Sequence, residues 1–344
     1  MKRVPAAPVE VRVLRSKRAP LLHYVTLVTS FVASNLAAVL LPPYSPFSAI
    51  SLFSALCVAI LFILLKRRPE KRSVKYRVML RALFPRWLYR NASFKADVMF
   101  FLFNTVVFGA LFGWAMFSSS YVSTIVSVTL TDYVGARAGI GWDGFTGKSI
   151  ATLAIFIAYE LAYWLNHYFS HRVPLLWEFH KVHHTAEVLS PLTNFRIHPV
   201  YAIVFGNLLA LFVGTTDGVL HYLQFGTPFG IGAGGNVLAL AFVWFLGHLQ
   251  HSHLWIAVTG PLGRVIVSPA HHQIHHSNNP KHFNKNFGSC LAIWDWMFGT
   301  LHIPNRDREH LTFGVGAAAP DHHTVVGSML TPFAMAWRRL RAEP

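Results

Sequence analysis

The residues of this sequence whose type and spacing best suit chemistry are three clusters of histidines. They read His167-Tyr-Phe-Ser-His171, His180-Lys-Val-His183-His184 and His272-Gln-Ile-His275-His276. On a helix, residues three or four positions apart share one face, with their Cβ atoms about 5–6 Å apart. The spacing therefore predicts imidazoles that converge on metal ions, and the surrounding elements must hold those imidazoles in place.

Metal binding explains the clusters better than packing does. Three imidazoles on one helical face repel one another when protonated, whereas a divalent ion binds the neutral ring nitrogen. The eight clustered histidines exceed the four ligands of one tetrahedral zinc ion, so we expect two ions. The sequence contains no His-Glu-x-x-His motif, and only Glu178 and Glu187 lie near the second cluster. An all-nitrogen set with open coordination positions suits iron that handles O2.

The composition predicts an integral membrane protein. Apolar residues make up 53% of the 344 residues, charged residues make up 13%, and the apolar residues lie in long blocks. The formal net charge is +16, and the basic residues are grouped in loops beside the apolar blocks. That grouping follows the positive-inside rule and favours a membrane surface over nucleic acid, for which the sequence has no recognised motif. Cys57 and Cys290 lie far apart, so no disulfide framework is expected.

Six apolar blocks predict the membrane topology. The first four approach the roughly 20 residues needed to cross a bilayer, and they cover about 21–41, 47–65, 98–117 and 149–165. Residues 118–148 become Gly-rich and are expected to form a loop on the far side. Two later blocks, about 200–213 and 231–245, predict either full spans or a shallow re-entrant hairpin. We expect an all-α integral membrane protein with about four to six transmembrane helices and a cytoplasmic, histidine-rich helical cap.

The residues around the clusters resemble the membrane-bound di-iron fatty acid hydroxylase/sterol desaturase superfamily. The resemblance covers about residues 149–302. Tyr168 departs from it, because the family usually has Arg after the first cluster histidine; no ligand is lost by that change. The matching motifs are Glu160-Leu-Ala-Tyr163-Trp164-Leu-Asn-His167, Trp177-Glu-Phe-His180-Lys-Val-His183-His184, Arg196-Ile-His198-Pro199, Gln250-His251-Ser-His253, the stretch from Ser268 to His276, Asn286-Phe287-Gly288, and Trp294-Asp295-Trp-Met-Phe298-Gly299-Thr300.

The resemblance implies three regions. Residues 1–148 hold an N-terminal tail, a transmembrane hairpin, a basic loop and a third membrane helix. Residues 149–302 form the di-iron domain, and residues 303–344 form a basic C-terminal tail.

The resemblance also implies a larger ligand set than the three clusters provide. It adds His198 and His251 as metal ligands, with His248, His253 and His271 as possible extra ligands. We expect Glu160 and Asp295 to orient ligand imidazoles by hydrogen bonding. The alternatives are a buried Glu160 bonded to a neighbouring helix and an Asp295 that serves as a helix-start or turn carboxylate. The other histidines of the second half are expected to be far-side, surface or tail residues: His221, His282, His302, His310, His322 and His323.

The implied activity is oxidation of a lipid. Two iron ions (Fe2+/Fe3+) would use O2 and electrons from a cytochrome b5-, ferredoxin- or reductase-type donor to hydroxylate or desaturate an unactivated C–H bond of a lipid, sterol or fatty-acyl substrate. Hydroxylation is favoured, because it is the broader chemistry of the superfamily. The expected location is a bacterial inner membrane or the endoplasmic reticulum, with the site on the cytoplasmic side. The alternatives are a metal transporter or sensor, and a hydrolase that uses zinc.

Overall fold

The computed structural model describes residues 18–67, 75–136, 141–231, 235–316 and 323–341. The predicted N-terminal tail up to residue 17 and His322 lie outside the described residues. The α-helices are α1 Arg18–Leu40, α2 Ala49–Arg67, α3 Tyr76–Leu83, α4 Arg86–Arg90, α5 Ala92–Leu102, α6 Gly109–Phe112, α7 Ser119–Val134, α8 Phe145–Arg172, α9 Pro174–His184, α10 Pro199–Tyr222, α11 Val237–Phe242, α12 His248–Gln250, α13 Pro269–His275, α14 Ile293–Met297 and α15 Val325–Arg341.

Short irregular elements connect these helices. Two π-helical segments continue α5 and α11, and two very short strands pair in an antiparallel manner before α11. The π segments are Phe103–Phe108 and Val243–Gly247, the 3-10 turns are Gly113–Ala115, Pro191–Phe195, Leu262–Arg264 and Pro280–His282, and the strands are Gly230–Ile231 and Gly235–Asn236.

The helical membrane fold predicted from the sequence is confirmed. Among the described residues, five helical stretches are long and apolar enough to cross a membrane. This number lies within the predicted range of four to six. The stretches are His23–Leu40, Ala49–Lys66, Ala92–Val134, Phe145–Arg172 and Pro199–Tyr222.

Two segments differ from the sequence-based expectation. Residues 119–134 were expected to lie in a loop but form α7. Two of its polar side chains are satisfied within the helix, because Thr124 and Thr131 donate to carbonyls four residues back, at 2.9 and 2.8 Å. The block at 200–213 is also longer than expected, since α10 runs for 24 residues. It is therefore a full-length helix and not an arm of a shallow hairpin.

Small residues explain why α10 extends beyond its apolar block. Gly214 and Gly218 lie one turn apart and face α7, where an added Cβ would stand 2.6 Å from the carbonyl oxygens of Ser119 and Ser123 respectively. The Ser123 hydroxyl also donates to Asp217 at 2.7 Å. Close backbone approach with a polar contact is a common way to hold membrane helices together. These contacts place the first half of α7 beside the second half of α10.

A proline-directed turn brings α9 back against α8. Val173 is extended, with φ −92° and ψ 113°, because the following Pro174 disfavours helical backbone at the preceding position. Pro174 then occupies the first turn of α9, where its missing N–H costs nothing. The histidines at the end of α8 consequently face those of α9.

Candidate metal centre

Nine histidines form two adjacent sets in the cap. Within each set, one ring nitrogen from every member lies within 4.8 Å of the others. We call them set A and set B. Set A contains His167, His171, His180, His184 and His275, and set B contains His183, His251, His272 and His276.

Set A joins the ends of three helices. His167 and His171 come from the last turns of α8, His180 and His184 from α9, and His275 from α13. The Nε2 atom of His184 lies 3.1 Å from that of His171 and 3.2 Å from that of His180. The rings of His167 and His275 are in contact, with centroids 4.4 Å apart.

Set B is built around His251, the residue that directly follows α12. Its Nε2 atom lies 3.2 Å from Nε2 of His183, 3.0 Å from that of His276 and 2.9 Å from that of His272. The four rings are buried or half-buried. A neutral imidazole carries only one N–H, so these converging nitrogens cannot all be paired with one another as hydrogen bonds.

The spacing of the nitrogens fits metal ligands. Two nitrogens about 2.1 Å from one ion lie about 3.0 Å apart at octahedral angles and about 3.4 Å apart at tetrahedral angles. The Nε2–Nε2 separations of 2.9 to 3.2 Å in the two sets are closer to the octahedral value. Buried Nε2 atoms of His167 and His275 also have no hydrogen-bond partner. Both sets therefore have the close nitrogen spacing expected of imidazoles that share a metal ion.

Main-chain carbonyls orient two rings of set A. His167 donates from Nδ1 to the carbonyl of Phe287, and His275 donates from Nδ1 to that of Lys285, both at 2.8 Å. A proton on Nδ1 leaves the lone pair on Nε2, which faces the set. The segment 285–287 thus fixes the tautomer of two candidate ligands.

Glu160 and Asp295 act on the same loop and not on the imidazoles. Asp295 accepts from the amides of Phe287 and Gly288 at 2.9 and 2.8 Å, and Glu160 accepts from those of Cys290 and Leu291 at 3.0 and 2.7 Å. The expectation that either carboxylate contacts a ligand ring directly is corrected accordingly. Both are fully buried, and they hold the loop whose carbonyl orients His167.

Asn286 fixes the middle of this loop. Its φ is +58°, a left-handed conformation that Asn tolerates better than most residues. Its amide donates to the carbonyls of His271 and His302 at 3.0 and 2.9 Å, and its oxygen accepts from the His302 amide at 2.7 Å. Asn286 lies between Lys285 and Phe287, whose carbonyls orient the two rings. Its side chain therefore anchors both carbonyls to His271 and His302.

Four other candidate histidines lie outside both sets. His198 accepts from the Val200 amide through Nδ1 and contacts the Met329 carbonyl through Nε2, both at 3.1 Å, so it caps α10 and has no nitrogen free for a metal. His271 caps α13 through Ser268, at 2.7 Å. The Nε2 atoms of His248 and His253 contact the carbonyls of Pro46 and Ala82 at 2.7 and 2.6 Å. The structure brings none of these four to the candidate ligands.

A buried ion pair that the sequence analysis did not single out braces α9 against the membrane helices. Arg196 and Asp97 are both fully buried and pair at 2.7 Å. Arg196 also donates to the hydroxyl of Thr185 at 3.0 Å, one residue after His184. A carboxylate at the edge of an apolar block is costly unless it has a partner, and the position of Asp97 directly before the block at 98–117 was the available signal.

Burial keeps the cap imidazoles neutral. Burial lowers the pKa of His183 to about 3 and that of His275 to about 4, with the nearby His275 ring adding to the shift at His183. Burial also holds the pKa of His251, His272 and His276 well below the usual range, and neighbouring imidazoles add to the effect. Neutral rings are the form that binds a metal ion.

A cavity of about 720 Å3 reaches both sets. It touches His171, His184 and His275 of set A and His276 of set B. Polar groups such as Lys181 and apolar side chains such as Met335 and Phe283 line the same space. Small molecules therefore have a route to the candidate metal centre.

The fold and the site define a class, that of helical membrane proteins with two adjacent polyhistidine sets. Residues 152–300 match the family model described as fatty acid hydroxylase. The predicted resemblance is confirmed. Tyr168, where the family usually has Arg, stacks on Trp164, with ring centroids 4.9 Å apart. That stack does not involve a candidate metal ligand.

Curated relatives include several lipid-modifying enzymes. The chain is 30% identical to alkylglycerol monooxygenase of Danio rerio over 156 residues, which cover 44% of this chain and 30% of that protein. It is 30% identical to the ornithine lipid hydroxylase OlsE of Rhizobium tropici over 163 residues, 46% of this chain and 42% of that protein. It is 25% identical to the very-long-chain aldehyde decarbonylase GL1-4 of Oryza sativa subsp. indica over 144 residues, 41% of this chain and 22% of that protein.

The matches thus span less than half of each of these relatives. No solved structure was found that matches the chain significantly.

Proposed function

We propose that this protein is a membrane-bound di-iron oxygenase that hydroxylates an unactivated C–H bond of a lipid. The observation that carries the proposal is the pair of all-imidazole sets, five and four residues strong, at one end of the membrane helices. The relatives include an alkylglycerol monooxygenase and an ornithine lipid hydroxylase, and these activities support the same chemistry. The overall reaction is R–H + O2 + 2 e− + 2 H+ → R–OH + H2O.

The residues of this chain divide the work of the reaction between them. Set A and set B would each hold one iron ion, and the two ions supply the redox chemistry that activates O2. Phe287 and Lys285 keep two rings of set A in the ligating tautomer. The cavity beside the sets positions the lipid, and its mixed lining suits a molecule that carries both a polar group and a hydrocarbon chain.

The electrons come from a separate donor in this proposal. The sequence contains no dinucleotide-binding or flavin motif, so a cytochrome b5-, ferredoxin- or reductase-type protein would deliver the two electrons. The lipid substrate reaches the site from the bilayer.

Basic elements of the cap favour a cytoplasmic site. The carbonyl of Ala82 in α3 contacts His253, and Trp87 in α4 packs on the same ring, so these two helices lie on the cap. They carry Arg77, Arg81, Arg86 and Arg90, and α15 carries Arg338, Arg339 and Arg341. Lys and Arg accumulate on the cytoplasmic side of membrane proteins. The site would therefore face the cytoplasm, at a bacterial inner membrane or at the endoplasmic reticulum.

Transport and zinc hydrolysis fit the described residues less well. A transporter needs unpaired ligating groups along its membrane helices, whereas Asp97 pairs with Arg196 and Glu160 binds two backbone amides. A two-zinc hydrolase commonly bridges its ions with carboxylates, and sets A and B consist of histidine alone.

The test uses the full chain purified in detergent and loaded with iron without oxygen. With a chemical reductant and a lipid extract of the host, we expect O2 consumption and lipid products heavier by one oxygen atom in mass spectra. His275→Ala should abolish both signals, and His310→Ala, an exposed histidine outside the sets, serves as the matched control. Iron-loaded protein that consumes no O2 with any lipid fraction would refute the oxygenase. Products lighter by two hydrogens would replace hydroxylation with desaturation.

A further inference from the structure

A third group of candidate ligands lies in the cap, apart from sets A and B. It consists of His282, His302 and Glu309, which each place one nitrogen or oxygen within 4.8 Å of the other two. The sequence predicts both histidines at the surface or in the tail. His282 is instead only 6% exposed, and His302 and Glu309 are half-buried.

His282 is not satisfied by protein contacts. Its buried Nδ1 atom has no hydrogen-bond partner. Its Nε2 atom stands 3.7 Å from Oε2 of Glu309, beyond the 2.7–3.2 Å of an N–H···O hydrogen bond. Two ligands of one ion can be separated by up to about 4.2 Å when each is about 2.1 Å from it. The gap between the two side chains therefore suits a bridging cation better than direct contact.

The other two members are held in position by neighbouring residues. Oε1 of Glu309 accepts from the side-chain amide of Asn305 at 3.2 Å, while Oε2 is the oxygen nearest to His282. Both main-chain groups of His302 bond to the side chain of Asn286. The rings of His282 and His302 are nearly perpendicular, with centroids 5.1 Å apart. Such support of the candidate ligands is what a metal site needs around it.

We propose that His282, His302 and Glu309 bind one zinc ion in a third metal site, separate from the oxygenase centre. Two imidazoles and one carboxylate form a known zinc ligand set, with water completing the coordination. This mixed nitrogen and oxygen set differs from the all-nitrogen sets A and B. The proposal does not depend on the oxygenase activity.

The place of this site in the chain gives the zinc ion a structural role. His282 and His302 flank the loop 285–291, which carries the orienting carbonyls of Lys285 and Phe287. An ion bound between them cross-links the segment before that loop to the segment that follows α14. Zinc at the third site therefore braces, from outside, the segment that orients two rings of set A.

The first experiment counts zinc on full-length, iron-loaded protein in detergent. Zn2+ is titrated by calorimetry, and zinc and iron are measured separately by mass spectrometry. The wild-type protein should bind one zinc ion more than Glu309→Gln and than the double variant His282→Gln/His302→Gln. His310→Gln should behave like the wild-type protein. Equal zinc stoichiometry and affinity in all four proteins would overturn the proposal.

Glu309→Gln is the decisive variant because it has nearly the same shape as the native side chain and keeps the hydrogen bond from Asn305. Glu309 is 22% exposed at its side chain, and the Gln carbonyl still accepts from Asn305 while the charge is removed. We expect zinc affinity to fall at least tenfold while two irons remain bound. Unchanged zinc affinity in Glu309→Gln would overturn the third site whatever the iron content, whereas the oxygenase is tested separately by O2 consumption, so the two failures are distinguishable.

Hydrogen–deuterium exchange provides a second readout. Zinc should slow amide exchange in residues 280–309 of the wild-type protein and leave Glu309→Gln unchanged. Slowing in both proteins, or only outside this stretch, would contradict the assigned ligands.

Discussion

His183 and His184 are consecutive residues, yet their imidazoles belong to different sets. Their ring planes are at 90°, with centroids 5.6 Å apart. His275 and His276 repeat this relationship at 89° and 5.5 Å. Each His-His pair thus spans from one candidate metal to the other through a single peptide unit, so the spacing of the two metals is set by covalent geometry.

Single substitutions in the two sets should separate the two ions. We expect His275→Ala to lose the set A ion and His272→Ala the set B ion, each leaving about one of two irons per chain, because each removes one nitrogen from one set. Activity should fall by roughly 10^3-fold or more in both, since both ions take part. Iron per chain, measured by plasma mass spectrometry, reports the first effect. Retention of two irons in either variant would exclude that residue as a ligand.

His198→Ala distinguishes a helix cap from a ligand. Because both ring nitrogens of His198 are engaged by Val200 and Met329, we expect two irons to remain. Loss of the cap on α10 should cost about 1 kcal/mol of stability. Iron content and the thermal unfolding midpoint are measured on the same sample. A loss of iron comparable to that of His275→Ala would restore His198 to the ligand set.

Asn286→Gly tests the loop that orients the rings. Glycine accepts the φ of +58° without strain, so the variant removes only the side-chain hydrogen bonds to His271 and His302. We expect iron affinity to fall about tenfold as the Lys285 and Phe287 carbonyls lose their anchor. Asn286→Ala should lower the iron affinity further, because it adds backbone strain of about 1 kcal/mol. Unchanged iron affinity in both variants would show that the loop is held without Asn286.

Gly218→Ala tests the contact between α7 and α10. The new Cβ would lie 2.6 Å from the Ser123 carbonyl, so the helices must separate, at a cost of about 1–3 kcal/mol. Gly109→Ala is the matched control because no atom lies within 4 Å of its added Cβ. The midpoint of thermal unfolding in detergent is the measurement. Equal midpoints for the two variants would contradict the close packing.

The metal-free protein should lose stability on acidification. His183 and His275 have folded pKa values of about 3 and about 4, below the 6.5 of an unfolded histidine. Below pH 6.5 the unfolded chain therefore binds more protons than the folded chain, and each such histidine costs up to about 1.4 kcal/mol per pH unit until its folded pKa is reached. The temperature at the midpoint of unfolding of chelator-treated protein should decrease as the pH is lowered from 7 to 5. A midpoint that is constant or rises over this range would refute the sign.

The sequence predicted which histidines belong to the candidate site better than it predicted how they divide into sets A and B. Spacing and family resemblance selected the nine histidines of sets A and B and also His198, which the structure places elsewhere. Helical geometry explains the partition: His180 and His184, four residues apart, share set A, while His183 lies about 100° away from His184 and joins set B. The position of His251 depends on contacts between distant segments, which local spacing does not encode.

The remaining differences between the sequence-based expectations and the structure have a common physical cause. Polar groups bond to partners that are distant in the sequence. Glu160 and Cys290 are 130 residues apart, and Asp97 and Arg196 are 99 residues apart. In the sequence these carboxylates stand out only as charges in apolar surroundings. Likewise, the length of α10 was underestimated because Gly214 and Asp217 lower its local hydropathy, although both serve the contact with α7.

The hydrogen bond from His167 to the Phe287 carbonyl also constrains the order of events during biosynthesis. The two residues are 120 positions apart. On a ribosome, α8 and α10 leave the exit tunnel and enter the membrane well before residue 287 has been made. The ring of His167 has no fixed tautomer until that late segment arrives. In the proposed oxygenase, the orientation of this ligand would consequently be completed late, and truncation before residue 287 is expected to keep all nine histidines of sets A and B but to weaken iron binding by removing the carbonyl that orients His167.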